Sequence, residues 1–284
     1  MVHAQREKLE NVARAIIDAY NVMDCQVMNV GTTDLAAGVD FITEMKSRAK
    51  FPLVSANIRG ADSKDLLFKS HVIKRLNGLK IGFIGVAGDN TKNTQFEFDD
   101  PVESAQAVAT ELRDKVDLLV LLANVDDKTE LALATTIPEL DFLVRSRTGG
   151  LHRTPKKQNG VVIVRNSRQG KFAGILSLRL TDKTKDLADV TRQMARIDFV
   201  NKRLMTMEQD LKPGETLDEK FKDNPSRMNV LKRLRDERKN YSNEVFAQSN
   251  YYWFTARSLN ENIEDEPEVA AVVEPYMPKE KQNK

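Results

Sequence analysis

The segment from residue 80 to residue 123 constrains the fold more than any other part of the sequence. Two short apolar runs, residues 80–88 and 118–122, lie at its ends, and a helical pattern lies between them. Pro101 stands at the start of that helix, where a missing N–H costs no hydrogen bond. The helix carries one apolar stripe, Ala105, Val108, Leu112 and Val116. Two buried strands around an amphipathic helix are typical of a βαβ unit with parallel strands, so we predict an α/β core.

Composition excludes several classes of protein. Hydrophobic residues make up 40% and charged residues 30% of the 284 positions, as in an ordinary globular protein. The formal charge of +2, from 44 basic and 42 acidic residues, gives no bulk attraction for nucleic acid. The single cysteine, Cys25, excludes an internal disulfide and a multi-cysteine metal or haem site, and we expect a buried, inert thiol.

Membrane and export signals are also missing from the sequence pattern. No apolar run approaches the ~18 residues that a membrane-spanning helix needs. The first eight residues lack the apolar region of a signal peptide. On these residues alone, the protein is either cytoplasmic or has lost an export signal.

The other elements of the first part follow the same patterns. We expect an edge strand over residues 68–75, leading through the Asn77-Gly78 turn into the central unit. The later half of residues 171–180 alternates, as in an antiparallel strand with one solvated face. We therefore predict one α/β domain over residues 8–182. Its remaining elements are predicted as helices near residues 9–20, 35–49 and 131–137 and strands at 25–30, 51–57, 140–144 and 160–165.

The character of the sequence changes after residue 182. Two charged helices with heptad-like apolar seams predict an antiparallel helical hairpin over residues 190–248. Acids and bases alternate along both helices, so their outer faces are typical of solvated surface rather than of a nucleic-acid patch. We expect the hairpin to bind a protein partner or a second copy, or alternatively to fold back as a lid. Residues 249–276 are predicted as a returning aromatic strand and a short helix, and residues 277–284 as a frayed tail.

No local motif identifies an active site. The glycines at 82, 85 and 88 lack the spacing of a dinucleotide-binding loop, and close packing around a buried strand explains them better. His3, His71 and His152 have no metal-ligand spacing between any two of them. No G-x-S-x-G elbow is present, so a hydrolase triad has no support. We expect no cofactor.

The order of the segments nevertheless resembles a known family. Residues 8–180 are similar to the catalytic domain of the 5'-nucleotidase group of calcineurin-like metallophosphoesterases. The similarity is carried by residues 19–31 (AYNVMDCQVMNVG), 51–58 (FPLVSANI), 77–85 (NGLKIGFIG), 116–122 (VDLLVLL) and 138–144 (PELDFLV). The resemblance implies two mixed sheets packed face to face between helices, with two metal ions held by loops at the strand ends.

The same resemblance implies that the metal ligands are degenerate. The family's Gly-Asn-His-Asp/Glu loop aligns with residues 31–34, so threonine replaces both the bridging asparagine and the catalytic histidine. The histidine after the second strand is replaced by asparagine, and the Gly-His-x-His loop aligns with residues 146–149. The family's Asp-x-His strand and Gly-Asp loop would precede residue 1. Threonine cannot replace imidazole on such metals. The resemblance thus implies a vestigial pocket without metal, made by Thr32, Thr33, Asp34, Asn124, Arg147 and Gly149.

The C-terminal part resembles bacterial nucleotidase-like proteins, some of which continue into a multi-haem c-type cytochrome domain. No Cys-x-x-Cys-His motif occurs, so this chain attaches no haem. This resemblance implies a periplasmic or extracellular location and a possible multi-haem cytochrome partner. We expect a catalytically inactive 5'-nucleotidase-like domain that serves as a binding or assembly module. The alternative is a metal-dependent phosphohydrolase acting on nucleotides through a remodelled site, and a cytoplasmic regulator of unrelated fold is a third possibility.

Overall fold

The computed structural model describes residues 2–89, 93–146, 153–166 and 170–276. It divides into two compact units, Met1–Phe172 with Ser258–Lys284, and Ala173–Arg257. The helices are α1 Val2–Val22, α2 Val39–Arg48, α3 Pro101–Leu112, α4 Asp127–Thr136, α5 Thr191–Glu208, α6 Leu217–Phe221, α7 Pro225–Phe246 and α8 Pro267–Val273. Short 3-10 helices cover Thr32–Leu35, Arg113–Lys115 and Glu274–Tyr276. The strands are β1 Met28–Asn29, β2 Leu53–Val54, β3 Ile58–Gly60, β4 His71–Leu76, β5 Leu79–Ala87, β6 Phe96–Phe98, β7 Leu118–Asn124, β8 Phe142–Arg145, β9 Lys156–Gln158, β10 Val161–Arg165, β11 Phe172–Arg179, β12 Ala188–Asp189 and β13 Tyr251–Ser258.

The first unit is built on a six-stranded mixed sheet with the order β4-β5-β7-β8-β10-β9. Strands β5, β7, β8 and β10 run parallel to one another, whereas the edge strands β4 and β9 pair antiparallel with β5 and β10. β5 and β7 are direct neighbours and α3 lies between them in the chain, which confirms the predicted βαβ unit. The edge position of β4 is likewise confirmed.

Close packing explains the glycines of β5. A side chain at Gly82 would come within 2.9 Å of Leu119 Cδ1, under α3. One at Gly85 would come within 2.7 Å of the carbonyl oxygen of Val54, on the other face. Glycine is therefore required where both faces of a buried strand are covered at short range, as the sequence predicted.

Helix α3 is fixed at both ends by side chains. The Asp100 carboxylate caps its start by accepting hydrogen bonds from the N–H groups of Val102 (2.8 Å) and Glu103 (2.9 Å). Just after its end, Arg113 donates to the Asp141 carboxylate (2.9 Å), which also accepts from the N–H of Leu119 (2.7 Å). These bonds tie the helix end to the start of β7 and so fix the depth at which α3 packs on the sheet.

The other face of β5 is covered by short elements. Strands β1 and β2 pair in parallel, β3 and β6 pair antiparallel, and helices α1 and α2 pack around them. Of the strand predicted at 51–57 only Leu53–Val54 is a strand, because the chain then turns at Asn57, whose buried side chain bonds to the N–H (3.0 Å) and the carbonyl (2.7 Å) of Ala87. The unit is thus a mixed α/β structure with several sheets and outer helices, which confirms the predicted class.

Two predicted helix boundaries were wrong for local reasons. The helix predicted over 35–49 begins only at Val39, because Gly38 has a φ of 95°, and a 3-10 turn precedes it. The helix predicted over 131–137 begins at Asp127, because the Asp126 side chain accepts from the N–H of Thr129 (2.8 Å) and caps it.

The second unit combines a small sheet with paired helices. Strand β11 was predicted as the last strand of the α/β domain, but it lies in a three-stranded sheet with the order β11-β13-β12. The buried Asn250 holds this arrangement, because its side chain accepts from the N–H groups of Thr181 (2.9 Å) and Asp182 (3.0 Å). Residues predicted together as 249–276 are divided, since β13 belongs to this unit and α8 to the first.

Helices α5 and α7 pack against each other and run antiparallel. Gln193 bonds to Glu244, and Arg196 pairs with Glu237, so positions rise on one helix as they fall on the other. The core between the helices is completed by α6. At the base, Tyr251 packs with Val190 and Val245, within the same unit. Across the described parts of the chain, no helix is both long and apolar enough to cross a bilayer.

Truncation of the central strand should destabilise the protein strongly. Leu121 is fully buried in β7, so Leu121→Ala leaves a cavity and should lower the free energy of unfolding by about 2–5 kcal/mol. Leu131→Ala, at a side chain that is 54% exposed on α4, is the matched control and should change it by less than about 0.5 kcal/mol. Urea unfolding followed by circular dichroism measures both, and equal losses would contradict the central position of β7.

Candidate functional site

Three segments meet where β7 and β8 end. The N–H and the hydroxyl of Thr32 both donate to Asn124 Oδ1, at 3.4 and 3.3 Å. The Asn124 side-chain amide donates to Ser146 Oγ at 2.9 Å. Thr32 follows β1, Asn124 is the last residue of β7, and Ser146 follows β8. Because parallel strands end at the same edge of a sheet, the topology places these polar groups together.

Gly31 allows this close approach. An added side chain at Gly31 would lie within 2.9 Å of Asn124 Cγ. The backbone N–H of Gly88, after β5, donates to the carbonyl oxygen of Asn124 at 2.9 Å. The loop after β1, the end of β5 and the end of β7 are therefore locked to one another at the position of the predicted pocket.

Asp34 stabilises the loop after β1. One of its carboxylate oxygens accepts from the N–H of Gly31 at 2.7 Å, which closes the 3-10 turn. Burial raises the pKa of the Asp34 carboxyl, and the hydrogen bond from Gly31 opposes this only in part. The residue is half-buried in the structure. Asp34 thus stabilises the loop, and its charged form is held at an energetic cost.

Thr33 lies apart from this cluster. It is exposed and lines a groove of about 510 Å³ between α1 and the start of α2. The side chains of Leu9, Ile16 and Phe41 supply the apolar walls of that groove. Of the six residues predicted for the pocket, the structure brings Thr32 and Asn124 together and links Asp34 to the same loop through Gly31. Arg147 and Gly149 lie outside the described residues, so a pocket that includes them stays a prediction.

The described donors do not fit a pair of metal ions. Thr32 and Ser146 offer neutral hydroxyls, and the Asn124 carbonyl oxygen is already held by Thr32. Dinuclear phosphoesterase chemistry needs charged or imidazole ligands in a fixed geometry. Within the described ranges, no three His, Cys, Asp or Glu side chains come together in an arrangement that could hold a metal ion. No catalytic step through a metal is therefore assigned to these residues.

A buried ion-pair cluster lies beside this edge, and the sequence analysis missed it. Glu130 on α4 is only 4% exposed, and Arg165, at the end of β10, donates to it through Nε (2.6 Å) and through a second, very short contact. Arg145, at the end of β8 and 5% exposed, lies 3.3 Å from Glu130 and also pairs with Asp127. The only sequence signal is that two buried apolar strands each end in arginine.

The cluster balances its own charge. Two arginines face two carboxylates, and Arg145 Nε also donates to the carbonyl oxygen of Val125 at 2.9 Å. Arg165 lies 3.2 Å from the Asp127 carboxylate. The hydrogen bond from Arg145 to that carboxylate lowers the pKa of Asp127. These bonds fix the ends of β8 and β10 against α4. The cluster is therefore a clamp for the edge that carries Ser146, with little net charge for a ligand.

Comparisons with known proteins agree with this fold. No family model matches the chain. It is 20% identical over 184 residues to the uncharacterized metallophosphoesterase YunD of Bacillus subtilis, an alignment that covers 63% of this chain and 40% of YunD. It is 25% identical over 192 residues to protein UshA of Escherichia coli, which covers 54% of this chain and 35% of UshA.

Solved structures give the same result. The calcineurin-like phosphoesterase YfkN from Bacillus subtilis superposes with a TM-score of 0.53 at 21% identity, covering 63% of this chain and 67% of YfkN. The 5'-nucleotidase precursor from Thermus thermophilus superposes with a TM-score of 0.54 at 25% identity, covering 62% of this chain and 40% of the precursor. The relatives and structural neighbours are thus 5'-nucleotidase- and UshA-like calcineurin-like metallophosphoesterases. The chain spans 40% and 35% of the length of the two curated relatives.

Neutralising Glu130 should destabilise the first unit. Glu130→Gln leaves Arg165 without its main counter-charge and leaves the buried Arg145 with only the exposed Asp127 among the described carboxylates, and we expect a loss of about 3–5 kcal/mol in the free energy of unfolding. Glu111→Gln removes an exposed i,i+4 pair with Lys115 and should cost less than about 1 kcal/mol. Urea unfolding of both variants tests the clamp, which a near-neutral Glu130→Gln would refute.

Asp34→Asn should show a pH-dependent gain in stability. Burial raises the pKa of Asp34, so the folded state keeps its proton at a pH where the unfolded chain has lost it. Wild-type stability therefore falls as the pH rises from the ordinary aspartate pKa towards the raised one, and the uncharged variant escapes this loss. The Asn side chain can still accept from Gly31. Urea unfolding between about pH 3.5 and 7 should show the variant gaining on the wild type with rising pH; a constant difference would contradict the burial of the charge.

Proposed function

We propose that this chain acts on nucleotides or related phosphate esters as a domain of the 5'-nucleotidase type. The observation that carries the proposal is the cluster of Thr32, Asn124 and Ser146 at the carboxyl edge of the sheet. These residues stand where the family resemblance places the substrate-facing loops. Relatives and structural neighbours named as 5'-nucleotidases or metallophosphoesterases support the same class of substrate.

The comparisons favour hydrolysis over an inactive domain. Among the proteins matched are a 5'-nucleotidase of Vibrio cholerae and a 2',3'-cyclic-nucleotide 2'-phosphodiesterase/3'-nucleotidase of Haemophilus influenzae. The first candidate function is therefore metal-dependent hydrolysis of a nucleotide phosphate ester at a remodelled site. The described donors do not fit the metals, so this function requires ligands from beyond the described residues.

A non-catalytic binding domain is the second candidate, and the site itself favours it. The cluster consists of neutral hydroxyl and amide groups that are bonded mainly to one another. In the part of the chain that the structure describes, Asn124 uses one amide hydrogen for Ser146, which leaves the second to donate to a phosphate oxygen. Such an arrangement can recognise an anion through hydrogen bonds without attacking it.

The partner and the cellular location of the chain are also proposals. The resemblance implies an extracytoplasmic location and a multi-haem cytochrome partner, and the comparisons give no support for cytochrome binding. Fractionation of the source cells would test the location, and purification of the chain with its native complexes would test the partner.

Two measurements on the same protein separate the two candidates. Hydrolysis predicts that AMP with added Mn²⁺ releases phosphate, that chelation abolishes the release, and that Asn124→Ala reduces it at least about tenfold. Binding alone predicts no release, but heat on titration with AMP in the presence of chelator. In that case Asn124→Ala or Ser146→Ala should weaken the affinity about 2- to 13-fold, the effect of one hydrogen bond.

The control variant is Thr43→Ala. Its hydroxyl bonds within α2, to the carbonyl oxygen of Val39 at 2.8 Å, so neither phosphate release nor AMP affinity should change. Wild-type protein that neither hydrolyses nor binds AMP or related phosphate esters would overturn both candidates. Equal losses in the site variants and the control would show that the effect is not specific to the cluster.

A further inference from the structure

A basic cavity of about 790 Å³ lies between α5 and the start of α7. Lys202, Arg203 and Arg227 supply its charge, and no acidic side chain of the described residues lines it with them. Lys202 shares its charge with Asp198, at 3.6 Å in an exposed pair that contributes little in water. Within the described ranges, neither Arg203 nor Arg227 has an ion-pair partner. The cavity therefore carries positive charge that these residues leave unbalanced.

Apolar side chains also line the basic cavity. Phe199 is 48% exposed, and Met207 and Val230 line the cavity with it. The Arg227 guanidinium lies 5.4 Å from the centroid of the buried Phe221 ring, a contact that holds this cation in place. An exposed aromatic side chain beside positioned arginines is typical of a surface that binds another protein.

The same chain carries a segment of the opposite character after β13. Residues 259–268 (LNENIEDEPE) are all exposed, and none of them is basic. Leu259 is 46% and Ile263 is 44% exposed among the charges. Within the described part of the chain, no ion pair is formed by any of the five acidic residues, which are Glu261, Glu264, Asp265, Glu266 and Glu268.

We infer that the basic cavity of one copy binds the acidic segment, residues 259–268, of a second copy. The carboxylates of the segment pair with Arg203 and Arg227, and Ile263 lies against the exposed part of the Phe199 ring. Each surface leaves charges unpaired and an apolar side chain exposed in its own chain, and each supplies what the other lacks. Because every copy carries both surfaces, two copies that exchange segments form a closed dimer in which the contact is made twice.

A long polyanion fits the surface less well than a short acidic segment. The cavity that adjoins the basic one shares Phe199 and Arg203 with it, and its lining mixes arginines with Asp236, Glu237 and Glu244. A nucleic acid that extended over both cavities would meet these carboxylates, whereas a short segment can contact the basic cavity alone. The ion pairs of the contact are exposed to solvent, so we expect reversible association that weakens with added salt.

The first test measures the binding of a synthetic peptide of residues 259–268 to the full chain at low salt by fluorescence anisotropy. The peptide should bind saturably. The double variant Arg203→Glu, Arg227→Glu should bind it at least about tenfold more weakly, because like charges then meet. The matched control is Lys232→Glu, Lys239→Glu, which changes the net charge equally at exposed positions of α7 that do not line the cavity. No binding by the wild type, or an equal loss in both variants, overturns the inference.

The second test follows the full chain by sedimentation velocity over a concentration series. The wild type should pass from monomer to dimer, whereas the Arg203→Glu, Arg227→Glu variant and a Glu264→Lys, Asp265→Lys variant should each stay monomeric. Mixing these two variants should restore a dimer, since the reversed surfaces complement each other and the unchanged surfaces still do. Restoration also shows that both variants are folded.

Two outcomes of the sedimentation test overturn the inference. One is a mixture that stays monomeric although both variants keep the circular dichroism spectrum of the wild type. The other is a wild type that binds the peptide but stays monomeric, because the occupant of the cavity is then a segment of another protein. This inference does not depend on the proposed nucleotide chemistry.

Discussion

The parallel pairing of β5 with β7 is the constraint on which the first unit depends. It is possible only because β5 carries glycine at positions 82 and 85, where α3 approaches from one side and the backbone of β2 from the other. The same pairing ends in register at Ala87 and Asn124. Asn57 then fastens Ala87, and Gly31 lies against Asn124, so the core and the candidate site share one set of backbone positions.

Buried ion pairs fix the edge of the sheet, and hydrogen bonds between neutral side chains hold the neighbouring cluster at the candidate site together. Burial of Glu130 and Arg145 is tolerable because each charge has its partner within the clamp, and breaking such a set costs more than it contributes when intact. Beside it, Thr32, Asn124 and Ser146 satisfy one another. At this edge the described residues present a preformed hydrogen-bonding surface of neutral groups, which limits the chemistry that they can perform by themselves.

The sequence was informative where structure is local and periodic. The βαβ unit was predictable because an apolar run, a proline-started helix and a second apolar run are adjacent in the chain. Strand β11 was misplaced because alternation reveals a half-solvated face but not the pairing partner, and β13 is some 80 residues away. The Glu130 clamp was missed because its charges come from α4, β8 and β10 and meet only in the fold. Two cluster residues, Thr32 and Asn124, could be found only through family alignment, since neither lies in a motif with its own chemistry.

The helix pair of the second unit closes its apolar core within the chain. Its core of Val200, Leu204, Leu231 and Leu234 is closed by Leu217 and Phe221 of the five-residue helix α6. That short helix is viable because Thr216 and Glu219 form a capping box, each side chain bonding to the other's backbone N–H. The apolar seams predicted from the sequence are thereby satisfied inside the chain. Phe199 lies outside them, on a face that the internal packing leaves 48% exposed. The Arg196 guanidinium covers the Phe199 ring at 4.8 Å from its centroid, so this outer face is held by a cation–π contact and by the Arg196–Glu237 ion pair rather than by the apolar core.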